Sequence, residues 1–179
     1  MRETKHLQLP LSAADILVLQ AGDAVTLSGV IYTARDAAHK RMVDMLANGD
    51  AMPFAFNGAA VFYAGPCPNR ENQVIGSIGP TTSGRMDAYA LTLIRQGLRI
   101  MIGKGDRNQA VVDAMTECGG VYFAAIGGIA ALMSECVKAV EIVAFEDLGT
   151  EAVRALAVEK LPLVVAIDAR GNAAYKRCE

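Results

Sequence analysis

A three-layer β/β/α arrangement is the fold class this sequence predicts, ahead of a simple doubly wound sheet, and three observations carry the prediction. The first third holds clustered extended signals broken by turn residues. The remainder alternates helical stretches with short, nearly all-apolar runs, which is how strands buried on both faces of a mostly parallel sheet read. Finally, 179 residues, 53% of them hydrophobic and 17 of them glycine, can bury one substantial core and call for no second domain, so residues 1–179 are read as a single unit.

Taken in order, Ile16 to Leu19, Ala24 to Leu27 and Val30 to Thr33 read as strands of one β layer, separated by turn-prone Ala21-Gly22-Asp23 and Ser28-Gly29. A helix is predicted over Ala34 to Leu46, where Ala37, Met42, Val43 and Leu46 give a partial apolar stripe and Asp50 and Pro53 lie beyond the end. Ala59 to Tyr63 is a short strand halted by Gly65-Pro66-Cys67-Pro68-Asn69. After Gly79 the pattern gives helix 85–96, strand Leu98 to Ile102, helix 106–117, strand Val121 to Ala125 and helix 129–135. Strand Ala139 to Phe145, helix 149–158 and strand Leu163 to Ile167 complete it.

Composition excludes several function classes. A net charge of −2 offers no basic surface for nucleic acid. Runs such as Val121 to Ala125 and Leu161 to Ile167 are too short to span a bilayer, and Met1-Arg2-Glu3-Thr4-Lys5 leads into no signal-peptide core, so a cytoplasmic protein is expected. Cys67, Cys118, Cys136 and Cys178 are scattered without CxxC spacing, which suits small buried hydrophobes or incidental thiols better than a disulfide scaffold or a self-contained zinc or iron-sulfur site.

The chemistry concentrates in Gly79-Pro80-Thr81-Thr82-Ser83-Gly84-Arg85-Met86-Asp87. Thr82 or Ser83 can cap the following helix, the glycines let main-chain N–H groups converge on an anion, and Arg85 adds a planar donor fork suited to carboxylate or phosphate. An ordinary N-cap beside a surface arginine is the plainer reading. Gly103-Lys104-Gly105 ends a strand where α/β sheets gather ligands; it is no Walker motif, since Asp106 follows instead of a hydroxyl. Gly127-Gly128 reads as a packing turn.

Arg35 lies between a strand and a helix and offers a second clamp for a diacid. Asp36 suits the helix N-terminus, and His39, three residues on, permits an Asp-His bond of structural kind or an acid/base pair. His6 stands without a companion, and Asp168 in Ile167-Asp168-Ala169-Arg170-Gly171-Asn172 reads as an Asx-turn or salt-bridge residue. The sum is a cationic pocket of Arg35, Arg85, Lys104 and the hydroxyls of Thr81 and Thr82, fit for a small di- or tricarboxylate. It lacks an electrophile and a convincing base, so it belongs either to a stand-alone carboxylate-binding protein or to one half of an active site.

Ala34-Arg35-Asp36-Ala37-Ala38-His39-Lys40-Arg41, Gly65-Pro66, Gly76-Ser77-Ile78-Gly79-Pro80-Thr81-Thr82-Ser83-Gly84-Arg85-Met86-Asp87, Gly103-Lys104-Gly105 and Ile167-Asp168-Ala169-Arg170-Gly171-Asn172 occur in series. Together they resemble the β subunit, or C-terminal domain, of the class I iron-sulfur hydro-lyases, the family of fumarate hydratase and L(+)-tartrate dehydratase. The resemblance runs from about Leu11 to Tyr175. It implies a swivelling β/β/α fold and a partner α subunit, in an α2β2 or similar assembly, that carries a [4Fe-4S] cluster on three cysteines with one iron open to act as Lewis acid on a substrate hydroxyl. It implies further that Arg35, Arg85 and Lys104, with Thr82, bind a small dicarboxylate. Thr81, with Lys104 beside it, would serve the carbon whose proton is exchanged.

Overall fold

The computed structural model describes residues 3–68, 73–125 and 130–175. Strands β1 (Lys5–Gln8) and β2 (Ala24–Thr33) flank a short helix α1 (Ala13–Leu17), and helix α2 (Asp36–Asn48) leads to β3 (Ala60–Phe62). A 3-10 turn over Ser83–Met86 runs into α3 (Asp87–Arg95), followed by β4 (Ile100–Gly103), α4 (Gln109–Cys118), β5 (Val121–Ala125) and α5 (Ala130–Glu135). β6 (Val137–Ala144), a 3-10 turn over Glu146–Glu151 and the long β7 (Val153–Ile167) close the chain.

The sheet order is β1-β2-β3-β4-β5-β7-β6, and a further pairing of β2 with β7 closes β2, β3, β4, β5 and β7 into a ring. β2, β3, β4 and β5 are parallel neighbours, whereas β7 is antiparallel to β2, β5 and β6. Side chains alternate across these strands with period two. Ala60, Phe62, Ile100, Ile102, Val121 and Phe123 fill the ring between the two β layers. Val61, Tyr63, Met101 and Tyr122 face outward and pack under α2, α3 and α4 through Met42, Leu93, Ile94, Val111 and Met115. Helices, a parallel β layer and a second β layer thus give the predicted β/β/α order.

Three local expectations fail, each for a physical reason. Ile16 to Leu19 is not a strand: Ser12 and Asp15 form a reciprocal capping box, the Asp15 N–H donating to Ser12 Oγ at 3.2 Å and the Ser12 N–H to Asp15 Oδ2 at 2.8 Å, and this starts a helical turn. Ser28-Gly29 is no turn either; β2 continues through a bulge there, with Gly29 at φ +117° and a Cβ at that position falling 2.8 Å from Leu9 Cβ. The helix expected over 149–158 is replaced by the 3-10 turn and the first half of β7, because Val153 to Val158 is hydrogen-bonded by β2 and β6 together. Lys5–Gln8 adds a strand that the sequence did not suggest, paired in parallel with Val25–Ser28.

Candidate functional site

Parallel β2, β3 and β4 bring their carboxyl ends to one edge, and the predicted residues follow directly: Arg35 after β2, Gly65 after β3 and Lys104 after β4. The Gly79 turn crosses this edge as an improvised strand. Pro80 bridges Ala64, the Thr81 N–H donates to Tyr63 O at 2.7 Å, and Thr82 bridges Lys104 in parallel. The Ser83 N–H donates to Lys104 O at 2.9 Å, and the Lys104 N–H returns to Ser83 Oγ at 3.1 Å. Thr81 is half-buried, while Thr82 and Lys104 are exposed.

Neither Thr82 nor Ser83 caps the helix through its side chain. Ser83 is instead fully buried and fastens the two loops together, its Oγ also 2.8 Å from Tyr122 Oη. Gly103 is required by that fastening, since a Cβ there would sit 1.9 Å from Ser83 Oγ.

The edge is less cationic than the sequence suggests. Arg85, 53% exposed, donates from Nε to Asp36 Oδ1 at 3.0 Å, and Arg35 Nε lies 3.3 Å from Glu151 Oε1. Two of the three expected cations therefore already face a protein carboxylate. Gly65 makes room for Arg35, whose Cδ would be 3.2 Å from a Cβ at that position.

Under the loops lies a polar cluster that no spacing in the sequence reveals. Asp87 accepts from Arg107 Nε at 2.6 Å and from the Asn108 N–H at 2.7 Å. Arg107 Nη1 donates to Tyr63 Oη at 3.3 Å, and its guanidinium lies 5.2 Å from the ring centroids of both Tyr63 and Tyr122. Tyr122 Oη donates to Gly105 O at 2.9 Å, which completes a brace running from α3 to both loops. Burial raises the phenols of Tyr63 and Tyr122, the latter to about 12 despite the Ser83 hydrogen bond and the Arg107 charge, so both stay neutral. The only available signals were Asp87 closing the Gly79 turn and Arg107 three residues after Lys104.

His39 bonds not to Asp36 but to the Arg35 carbonyl, donating from Nδ1 at 2.9 Å. Its ring is wholly buried, edge-on to Tyr63 at 5.1 Å, and burial pushes its pKa down to about 4, with the Arg35 hydrogen bond opposing. A neutral imidazole that fixes the loop before α2 is the role this geometry supports. His6 does have a companion, with Nδ1 2.7 Å from Thr26 Oγ1. Asp168 forms the expected Asx-type turn, accepting from the N–H groups of Ala21, Arg170 and Asn172 and from Asn172 Nδ2; burial raises its carboxyl, but these bonds outweigh burial and hold it below the usual range. Cys67 is exposed and, with Cys118 and Cys136, a free thiol. Cys178 and Gly127-Gly128 lie outside the described residues. Among the described residues no three His, Cys, Asp or Glu are grouped to hold a metal, and no helix is long and apolar enough to cross a membrane.

A family model described as "Fumarase C-terminus" matches residues 2–178. Fumarate hydratase 2 of Leishmania major is 39% identical over 158 residues, 87% of this chain and 28% of that protein. The aerobic class I fumarate hydratase of Escherichia coli K12 is 38% identical over 157 residues, 87% of this chain and 29% of its own length. The putative L(+)-tartrate dehydratase subunit beta of Methanocaldococcus jannaschii is 40% identical over 172 residues, covering 93% of this chain and 88% of that one. The chain thus spans under a third of these two fumarate hydratases and nearly all of the β subunit.

Proposed function

This chain belongs to the fumarase C-terminus family and has its swivelling β/β/α fold, and on that premise we propose that it is the β subunit of a hydro-lyase, supplying the carboxylate-binding half of a site that interconverts fumarate and (S)-malate. One observation supports the reading: the loops that carry Arg35, Lys104 and the Thr81-Thr82-Arg85 turn lie along one edge of the sheet, two of them locked in register by Ser83. Arg35, Arg85 and Lys104 take the two carboxylates, and Thr82 adds a hydroxyl. Their charge stabilises the negative charge that grows on a carboxylate as the neighbouring C–H bond breaks. Because the loops are hydrogen-bonded to each other before substrate arrives, little reorganisation accompanies that step.

Thr81 is assigned the proton: in dehydration it takes the C3 proton of malate, and in hydration it returns it. A hydroxyl is a weak base at neutral pH, so Thr81 reacts as its alkoxide, its own proton having first passed to a group of the partner α subunit while the charge of Lys104 stabilises the oxygen left behind. The described residues of this chain do not fit a [4Fe-4S] cluster, and we assign the cluster to a partner α subunit in an α2β2 or similar assembly. This chain's own part is to bind, to orient and to move one proton.

A second reading, the β subunit of L(+)-tartrate dehydratase, is favoured by the Methanocaldococcus relative, which shares nearly the full length of this chain. The extra hydroxyl of tartrate needs contacts that the α subunit can supply. Assay of the α/β assembly against both substrates without oxygen separates the two. A higher kcat/KM for fumarate and malate is expected; dominant turnover of tartrate overturns the first reading. Tight malate binding by a chain that never associates with an α subunit would favour a stand-alone binder.

A further inference from the structure

Both arginines lie at the same helix start, each with a protein carboxylate near its Nε. Arg35 is the N-cap of α2 and Asp36 its first residue. Arg85, arriving from the Gly79 turn, uses Nε on Asp36 Oδ1 at 3.0 Å; Arg35 Nε lies 3.3 Å from Glu151 Oε1, an ion pair in which the buried Nε–H makes no hydrogen bond among the described residues. Glu151 is itself fixed, its other oxygen accepting the Ala37 N–H at 3.1 Å, and its 3-10 turn is tied to α2 again by the two-pronged Arg41–Asp147 pair at 2.8 Å. Among the described residues, no Nη atom of Arg35 or Arg85 donates a hydrogen bond. The second oxygen of Asp36 is buried without a hydrogen-bond partner among those residues, so this carboxylate is not shared out to a wider network.

A guanidinium has two edges that can grip a carboxylate, one through Nε and an Nη, the other through both Nη atoms. We propose that Asp36 and Glu151 are positioning residues, Asp36 by a hydrogen bond to Nε of Arg85 and Glu151 by its charge beside Nε of Arg35, so that each arginine meets a substrate carboxylate end-on through its Nη pair. The proposal rests on the hydro-lyase reading for the identity of the substrate, though not for the ion pairs themselves.

The chemistry sets a distinctive sign. Asp36 and Glu151 are negative beside a site for a dianion, so they weaken ground-state attraction while holding the forks in the reactive orientation. Neutralising one should leave substrate binding no weaker and make the bound substrate react more slowly. Asp36→Asn and Glu151→Gln in the α/β assembly are expected to lower kcat for malate by roughly 10- to 100-fold, the scale of a misplaced reacting group, with KM unchanged or reduced. A residue that bound substrate itself would raise KM, and one that served only folding would shift thermal stability with no such split.

A second measurement stands apart from activity. In the 15N spectrum of the full chain, the Nε–H of Arg85 should be resolved and slow to exchange with water, and Asp36→Asn should return it to the rapidly averaged signal of a free arginine. A rapidly averaged Arg85 Nε–H in the unaltered chain overturns the proposal even if the variant does not fold. So does an Arg85 Nε–H signal unchanged by Asp36→Asn, or a raised KM at normal kcat. An assembly inactive on every diacid tested, with the Nε–H signal present and lost in the variant, would refute the hydro-lyase reading and leave the orienting pair standing.

Discussion

Alanine at position 103 would place a Cβ 1.9 Å from Ser83 Oγ, 3.3 Å from Ser83 Cβ and 3.0 Å from Tyr63 Cδ2. Ser83 is fully buried and its hydroxyl joins Lys104 N–H and Tyr122 Oη, so it can move aside only by abandoning both bonds. Each lost bond costs about 1 kcal/mol, and crowding a packed interior adds ~1–3 kcal/mol. Gly103→Ala should therefore lower unfolding free energy by roughly 3–5 kcal/mol, read as a reduced urea midpoint with unchanged slope. The loops it parts carry Thr81, Thr82, Arg85 and Lys104, and a displacement of about 1 Å there should cost the assembled protein on the order of 100-fold in kcat. Ser83→Gly removes the atoms that clash. In that background the added cost of Gly103→Ala should shrink by ~1–3 kcal/mol, a coupling far outside the error of such cycles. Equal costs in the two backgrounds, or parent-like stability of Gly103→Ala alone, would refute the claim that Ser83 locks the site.

Arg85→Ala in the assembled protein should reduce kcat/KM by roughly 10- to 150-fold, the equivalent of ~1.5–3 kcal/mol for one charge-assisted contact, with little change in folding because the side chain is half exposed; an unchanged kcat/KM removes it from the site. Thr81→Ala should abolish isotope exchange at C3 of malate while assembly and substrate association persist, and exchange near the parent rate would make Thr81 a positioning residue only. His39 supplies the pH test: its folded pKa of about 4 lies below the 6.5 of the free group, so the unfolded chain binds the extra proton between those values. Stability from this group is complete above pH 6.5 and is lost as pH falls toward 4, up to about 3 kcal/mol in all. His39→Asn keeps a donor for the Arg35 carbonyl and cannot titrate, so the urea midpoint should become flatter across that window; an unaltered slope contradicts the assignment.

What the sequence made legible were the features that depend on local chemistry. Val121 to Ala125 is a strand with the predicted bounds because five apolar residues between turns leave few alternatives. The Gly79 turn and the Lys104 loop stood out because glycines, hydroxyls and basic residues gather there, and the structure sets the two side by side. What escaped depends on contacts made at long range. Val153 to Val158 carries alanines that suit a helix, and only pairing with two distant strands makes it extended. Ser83 looked like a cap because a hydroxyl before a helix usually is one, yet Gly103 and Tyr122, far along the chain, draw it inward. Asp36 and Glu151 were silent for the same reason: nothing in their spacing from Arg85 or Arg35 tells that a carboxylate ends at Nε.

The split-site account is tested most directly by purifying this chain alone, measuring its iron and its turnover of malate without oxygen, and repeating both after an α subunit is added. The account predicts neither iron nor hydratase activity in the chain by itself, and both in the assembly. Full activity from the isolated, iron-free chain would contradict it.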